Sequence, residues 1–303
     1  MTRVQDTKKR LLVALDGSDF TFETIKYIRQ IPTFKERQLV LFSVFTSIPS
    51  RYWDLQQEAV FRSKVTEIRS WEAQRKQETE GYLANAKQML LDDGFSDESV
   101  EIVIHAMNRG IERDIIAEAG KGYAALVVGK RGKGRVQGIV LGSVATKLLQ
   151  EVRIVPLFLV GKAVRPGRVL IAFDGSEGSM RAVDCVADML NGSGYRINLT
   201  HVVRLREDER GFIADAEQFI SEAFDKAVDR LIAAGIARDL ISTQIITGAR
   251  SRAQTLVKEA DQGVYGTIVL GRRGISRINE FLMGGVSNKV IQLARGHAVW
   301  VVS

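Results

Sequence analysis

Short β-rich apolar runs alternate with longer amphipathic stretches along the whole chain, the pattern of strands separated by helices. Residues 11–15 form the first run, which ends at Asp16-Gly17-Ser18. Further strands are predicted at 38–44, 100–105, 124–128 and 154–160. Helical periodicity fills the intervals at 21–30, 58–91 and 111–119, and again from Gly142-Ser143 to about Glu151. The sequence then starts over. Strands are predicted at 169–173, 196–203, 242–247, 266–270 and 298–302, with helices at 178–190, 212–234 and 253–260. Each half therefore reads β-α-β-α-β-α-β-α-β, which specifies an α/β fold with a parallel sheet wrapped by helices on both faces. Near-continuous Val, Ile and Leu in the strands suits sheets buried on both sides.

The two halves are copies. Asp174-Gly175-Ser176 repeats Asp16-Gly17-Ser18 at an offset of 158, which also aligns Leu199 with Leu41 and Val202 with Val44. Farther along, Gly271, Gly274 and Gly284 follow Gly129, Gly132 and Gly142 at a constant offset of 142. The first half thus carries 16 extra residues between Phe45 and about Asp93. That region holds the long helix at 58–91, where Phe61, Val65, Ile68, Tyr82, Ala86 and Leu90 make an intermittent apolar stripe and residues 74–80 are almost wholly polar. That middle reads as a helix projecting past the body of its domain, a solvated extension or a flap beside a site. Domain limits of 1–162 and 163–303 follow, with a short linker at 161–167 that contains Pro166.

The glycines carry the candidate chemistry. A strand, a glycine-rich loop and a helix N-terminus in that order build an anion site from close backbone approach and unpaired amide groups, with glycine also able to take positive φ. Ser143 adds a hydroxyl, and Lys130, Arg131, Lys133 and Arg135 place positive charge around the loop. The spacing G-x2-G-x9-G-[S/T] resembles the signature of the ATP-binding branch of the universal stress protein family, and two copies resemble its tandem type. The resemblance spans nearly the whole chain. It implies two doubly wound domains, each a five-stranded parallel sheet of the adenine nucleotide α-hydrolase-like kind in strand order 3-2-1-4-5, paired through their last strands at 154–160 and 298–302.

The same resemblance implies the ligand and its site. Adenine would lie near the ends of the first two strands, with ribose and phosphates on the glycine signature. Carried over, the first half offers Ala14, Asp16, Val44, Gly129, Arg131, Gly132, Gly142, Ser143 and Val144. The second offers Ala172, Asp174, Val202, Gly271, Gly274 and Gly284. There the pattern departs: Gly285 replaces Ser143, Ile275 replaces Lys133 and Glu280 replaces Gly138. Losing a hydroxyl and a base while gaining an acid makes the second site the weaker one. Asp16 and Asp174 also read as plain turn and helix-entry residues, and the glycines as strand-to-helix turns.

Composition narrows the function. A net charge of +7 suits anionic ligands, yet the basic residues are scattered and no RNA-binding or zinc-finger pattern occurs, so no specific nucleic acid is expected. The single cysteine, Cys185, excludes an internal disulfide and fits a reducing compartment. The polar N-terminus and the lack of a long apolar run predict no signal peptide and no membrane span, hence the cytoplasm. His105, His201 and His297 sit at predicted strands without metal-ligand spacing, and no P-loop, HIGH-type or SGG-type signature is present. The expectation is a nucleotide-binding regulatory protein of the stress response, taking ATP with or without Mg2+, with no catalytic or metal residues and at most slow ATP hydrolysis. The alternative is an interaction module in which nucleotide is incidental. Its partners would be an adenine nucleotide and an unidentified protein, within an internal pseudo-dimer that can itself pair as a homodimer.

Overall fold

The computed structural model describes residues 9–46, 59–132, 140–204, 213–273 and 283–303. In the first half, β1 (Arg10–Ala14), α1 (Asp19–Arg29), β2 (Gln38–Phe45), α2 (Ala59–Leu91), β3 (Val100–Ala106) and α3 (Ile111–Ala119) lead to β4 (Ala125–Gly129), α4 (Ser143–Glu151) and β5 (Leu157–Val160). The second half repeats this with β6 (Arg168–Ala172), α5 (Glu177–Leu190), β7 (Arg196–Val202), α6 (Ile213–Ala233), β8 (Ile241–Ile246) and α7 (Arg252–Gln262). It closes with β9 (Thr267–Gly271), α8 (Gly285–Leu293) and β10 (Ala298–Val302).

All ten strands form one sheet in the order β3-β2-β1-β4-β5-β10-β9-β6-β7-β8. Within each half the order is 3-2-1-4-5 and every pairing is parallel. The halves meet through an antiparallel pairing of β5 with β10, in the register Leu159–Val299, Phe158–Trp300 and Leu157–Val301. Two strand edges that would otherwise be open and apolar thus cover each other.

Strand alternation builds two core layers, and both halves contribute to each. Leu11, Val13, Phe158 and Trp300 face one layer with α1, α2, α5 and α6, whereas Leu12, Leu157, Val299 and Val301 face the other with α3, α4, α7 and α8. At the centre of the first layer Phe158 and Trp300 stack with ring centroids 4.0 Å apart and planes at 8°. Trp300 Nε1 donates to the Tyr27 hydroxyl at 2.8 Å, which lies 2.9 Å from Thr267 Oγ1. A buried indole and phenol that satisfy each other tie α1 to β10 and, through Thr267, to β9.

The polar middle of α2 is solvent-exposed except at one residue. Thr79 is buried, its hydroxyl donating to the Arg75 carbonyl oxygen at 2.9 Å, and Tyr82, Leu83, Ala86 and Leu90 pack inward. Residues 74–78 and 80 are exposed, and Arg75, Glu78 and Thr79 also line a cavity at the strand ends. They lie over the ends of the first strands.

Candidate functional site

The candidate site lies where open α/β sheets gather ligands, outside the carboxyl ends of the strands at the point where the chain changes direction across the sheet. Strand β1 delivers Ala14 and Asp16, β2 delivers Val44, and β4 delivers Gly129. Helix α4 begins at Ser143 directly opposite. These residues line one cavity of about 520 Å³ together with Arg131, Gly132, Gly142 and Val144, so the first-half set named from the sequence is assembled in one place. The cavity has two ends. Ala14, Phe42, Val44, Ile111, Ile115 and Val128 make an apolar slot, and the glycine turn with the first amides of α4 makes a polar one.

Backbone bonds fix the glycine turn. The Lys130 amide donates to Val160 O at 2.9 Å, and the Gly142 amide returns to Lys130 O at 2.8 Å. Among the described residues the signature glycines Gly129, Gly132, Gly142, Gly271 and Gly284 do not take positive φ, contrary to expectation; the glycines of the Asp-Gly-Ser turns do, Gly17 at +72° and Gly175 at +76°. What Gly129 and Gly132 supply is space. A Cβ on Gly129 would meet Phe20 Cβ at 2.7 Å, and one on Gly132 would run into the Asp16 carboxylate. Gly142 differs: a Cβ there meets nothing closer than 3.4 Å within the protein.

Asp16 is both turn residue and cavity wall. Its Oδ1 accepts from the Ser18 amide at 3.0 Å and from the Thr21 hydroxyl at 3.3 Å. Lys130 does not charge the loop as expected. Its side chain is buried and Nζ donates to Ala294 O in the second half, and burial pushes the ammonium down to about 7. Lys133 and Arg135 lie outside the described residues. The roof was not anticipated. Arg75, Glu78, Thr79 and Tyr82 of α2 close the cavity from above, with Tyr82 Oη 2.5 Å from Ser43 Oγ and its ring against Gly17. Only the flap reading of the long helix pointed there.

The second half forms a smaller cavity of about 300 Å³ lined by Ala172, Asp174, Val202, Gly271 and Gly284, so five of its six named residues come together. Gly274, with Ile275 and Glu280, lies outside the described residues. Asp174 Oδ1 accepts from the Ser176 amide at 3.1 Å, and the Gly284 amide donates to Arg272 O at 2.9 Å, repeating the first turn. The roof is different: Gly175 faces Ala223, Phe219 and Ile220. His201 is structural, its Nδ1 2.8 Å from Phe173 O, and burial holds its imidazole below the usual value. Among the described residues no three His, Cys, Asp or Glu side chains converge as a metal site. No helix among them is long and apolar enough to cross a membrane.

Comparison with known proteins agrees with this architecture. Residues 8–160 and 166–303 each match the universal stress protein family model. The chain is similar to universal stress protein YxiE of Bacillus subtilis (strain 168), at 25% identity over 142 residues, 42% of this chain and 93% of that protein. Among solved structures, a universal stress protein from Archaeoglobus fulgidus DSM 4304 superposes with a TM-score of 0.66 at 20% identity, covering 98% of both chains. A Pseudomonas aeruginosa UCBPP-PA14 structure gives 0.59 at 15% identity over 98% of this chain and 94% of that one. These similarities carry the fold.

Proposed function

We propose, from the premise that the chain belongs to the universal stress protein family, that it is a cytoplasmic regulatory protein that binds ATP in its first domain and does not turn it over rapidly. The observation that carries this reading is the two-ended cavity. A purine fits the apolar slot between Ala14, Phe42, Val44 and Ile111, while the phosphates meet the amides at Gly142 and Ser143 beside Arg131. In this reading Asp16, Gly129, Gly132 and Val144 complete the site, and the boundary between domains falls at 162/163. Mg2+ enters, where it does, on the phosphates of ATP.

The second domain keeps Ala172, Asp174, Val202, Gly271, Gly274 and Gly284 but lacks the Ser143 hydroxyl, so the stronger nucleotide site is the first and any nucleotide binding in the second is weak. A second reading, an interaction surface, is favoured there by one observation. The roof position that holds Glu78 in the first domain holds an exposed Phe219 in the second. A homodimer and an unidentified protein partner belong to that reading.

Calorimetric titration of the purified chain with ATP tests the assignment, alongside identification of any small molecule released on denaturation. Gly142→Val is the informative variant. The protein leaves room for a Cβ at Gly142, so the branched side chain intrudes chiefly on the volume assigned to phosphate. Binding is expected to vanish while the unfolding midpoint changes little. Unchanged ATP affinity would remove the site.

A further inference from the structure

The third helix of each domain begins at its cavity wall, with Ile111 in the first domain and Arg252 in the second. Ile111 extends the apolar slot. Arg252 instead lays its side chain across the end of β7, where Nε donates to the Val202 carbonyl oxygen at 3.2 Å. A charged group therefore stands where the first cavity offers hydrocarbon, and the carbonyl at the strand end already has a donor. The space left is about 300 Å³ against about 520 Å³. Arg273 lines the same space from the glycine turn, as do the first residues of α8 and the hydroxyl side chains of Ser179 and Thr200. Asp174 is the one carboxylate among the described lining residues. Two guanidiniums against one carboxylate make the pocket favourable to an anion, and guanidinium matches phosphate oxygens in geometry as well as charge.

We propose that the second cavity binds a compact phosphorylated small molecule without a purine, that Arg252 is its recognition residue, and that Arg252 also excludes an adenine nucleotide from this domain. The inference deepens the reading of the first cavity as the ATP site, because the exclusion is argued by contrast with it. The anion site itself stands on the second cavity alone. The apolar slot and the strand-end carbonyl are both changed by one side chain. That side chain is exposed at the first position of α7, where a change leaves the core untouched.

Calorimetry on the full chain with inorganic pyrophosphate, with and without saturating ATP, tests this. Pyrophosphate is expected to bind in the presence of ATP, and Arg252→Ile to weaken it by about tenfold or more, the loss of a charge-assisted hydrogen bond. Arg252→Lys, which keeps the charge, should retain most of the binding. Arg252→Ile should also raise the ATP stoichiometry from one to two per chain. Pyrophosphate binding indifferent to Arg252→Ile overturns the anion site. Two ATP molecules on the unmodified chain, or no second ATP on Arg252→Ile, overturns the exclusion. Should ATP fail to bind the unmodified chain at all, the preceding reading falls, while pyrophosphate binding that depends on Arg252 remains measurable without ATP.

Discussion

Lys130 and Arg272 hold the same position in the two domains, and each reaches into the other. Lys130 Nζ donates to Ala294 O just past α8, while Arg272 donates to Leu149 O at 2.7 Å and to Val152 O at the end of α4. Each cation thus satisfies carbonyls that a helix C-terminus leaves unpaired, where its charge also opposes the helix dipole. Both residues follow directly on a signature glycine. The loop at each cavity is therefore tied to the far end of the helix that starts at the other cavity.

That arrangement predicts a pH dependence. Burial lowers Lys130 from 10.5 to about 7, so in that window the folded chain binds one proton fewer there than the unfolded chain. Stability rises with pH through the window and is least below it, with a slope of up to about 1.4 kcal/mol per unit. His297, 3.4 Å from Asp261, is held below its usual value by burial and titrates lower. Urea unfolding of the chain and of Lys130→Met between pH 7 and 9 should show their difference changing with pH. A difference independent of pH would mean that Lys130 keeps its proton when folded.

The seam should be the most sensitive part of the core. Trp300 is fully buried between Phe158 and Tyr27. Trp300→Ala should cost about 3–5 kcal/mol, the usual loss for a large buried aromatic side chain. A fragment ending at residue 162 exposes β5 along its length and should dimerise or precipitate. Sedimentation of that fragment as a stable monomer would show that the β5–β10 pairing is dispensable.

Strand positions and the repeat were legible because each rests on a periodic or apolar signal, whereas the β5–β10 pairing came from the family resemblance. Helices α3 and α4 match their predicted limits for the same reason. Lys130 was not legible. Sequence places it in a glycine loop, but β4 ends one residue earlier and the chain turns its side chain into the seam. The roof was hidden differently. Of residues 74–80, Arg75, Glu78 and Thr79 line a cavity and the others face solvent, and polarity alone does not separate a cavity wall from open solvent. Arg252 carried no motif at all. It shows only once the third helices are superposed and Ile111 becomes its counterpart.

The roof gives its own prediction. Tyr82→Ala copies the second domain, where Ala223 faces the equivalent glycine. It should weaken ATP binding by about tenfold, the loss of one aromatic wall. Tyr82→Phe keeps the ring and removes the hydroxyl with its 2.5 Å contact to Ser43 Oγ, so its effect should be small. Equal losses in the two variants would assign the role to the hydroxyl rather than the ring.

The last prediction concerns Ser143, an exposed residue at the first position of α4 whose counterpart is Gly285. Both helices start with open amides, so the backbone offers phosphate the same donors on both sides. The hydroxyl is the added term. A hydrogen bond to a charged group is worth ~1.5–3 kcal/mol, or about tenfold to a hundredfold in affinity. Ser143→Gly should weaken the first site by that factor without changing the fold, because the side chain is exposed. Gly285→Ser has room for the new Cβ, with no atom within 4 Å, yet should not create an ATP site while Arg252 crosses the slot. Gly285→Ser combined with Arg252→Ile should. Calorimetric stoichiometry of the four proteins decides the matter: one, one weaker, one and two ATP per chain are expected. A second site appearing with Gly285→Ser alone would show that the hydroxyl, and not Arg252, sets the difference between the domains.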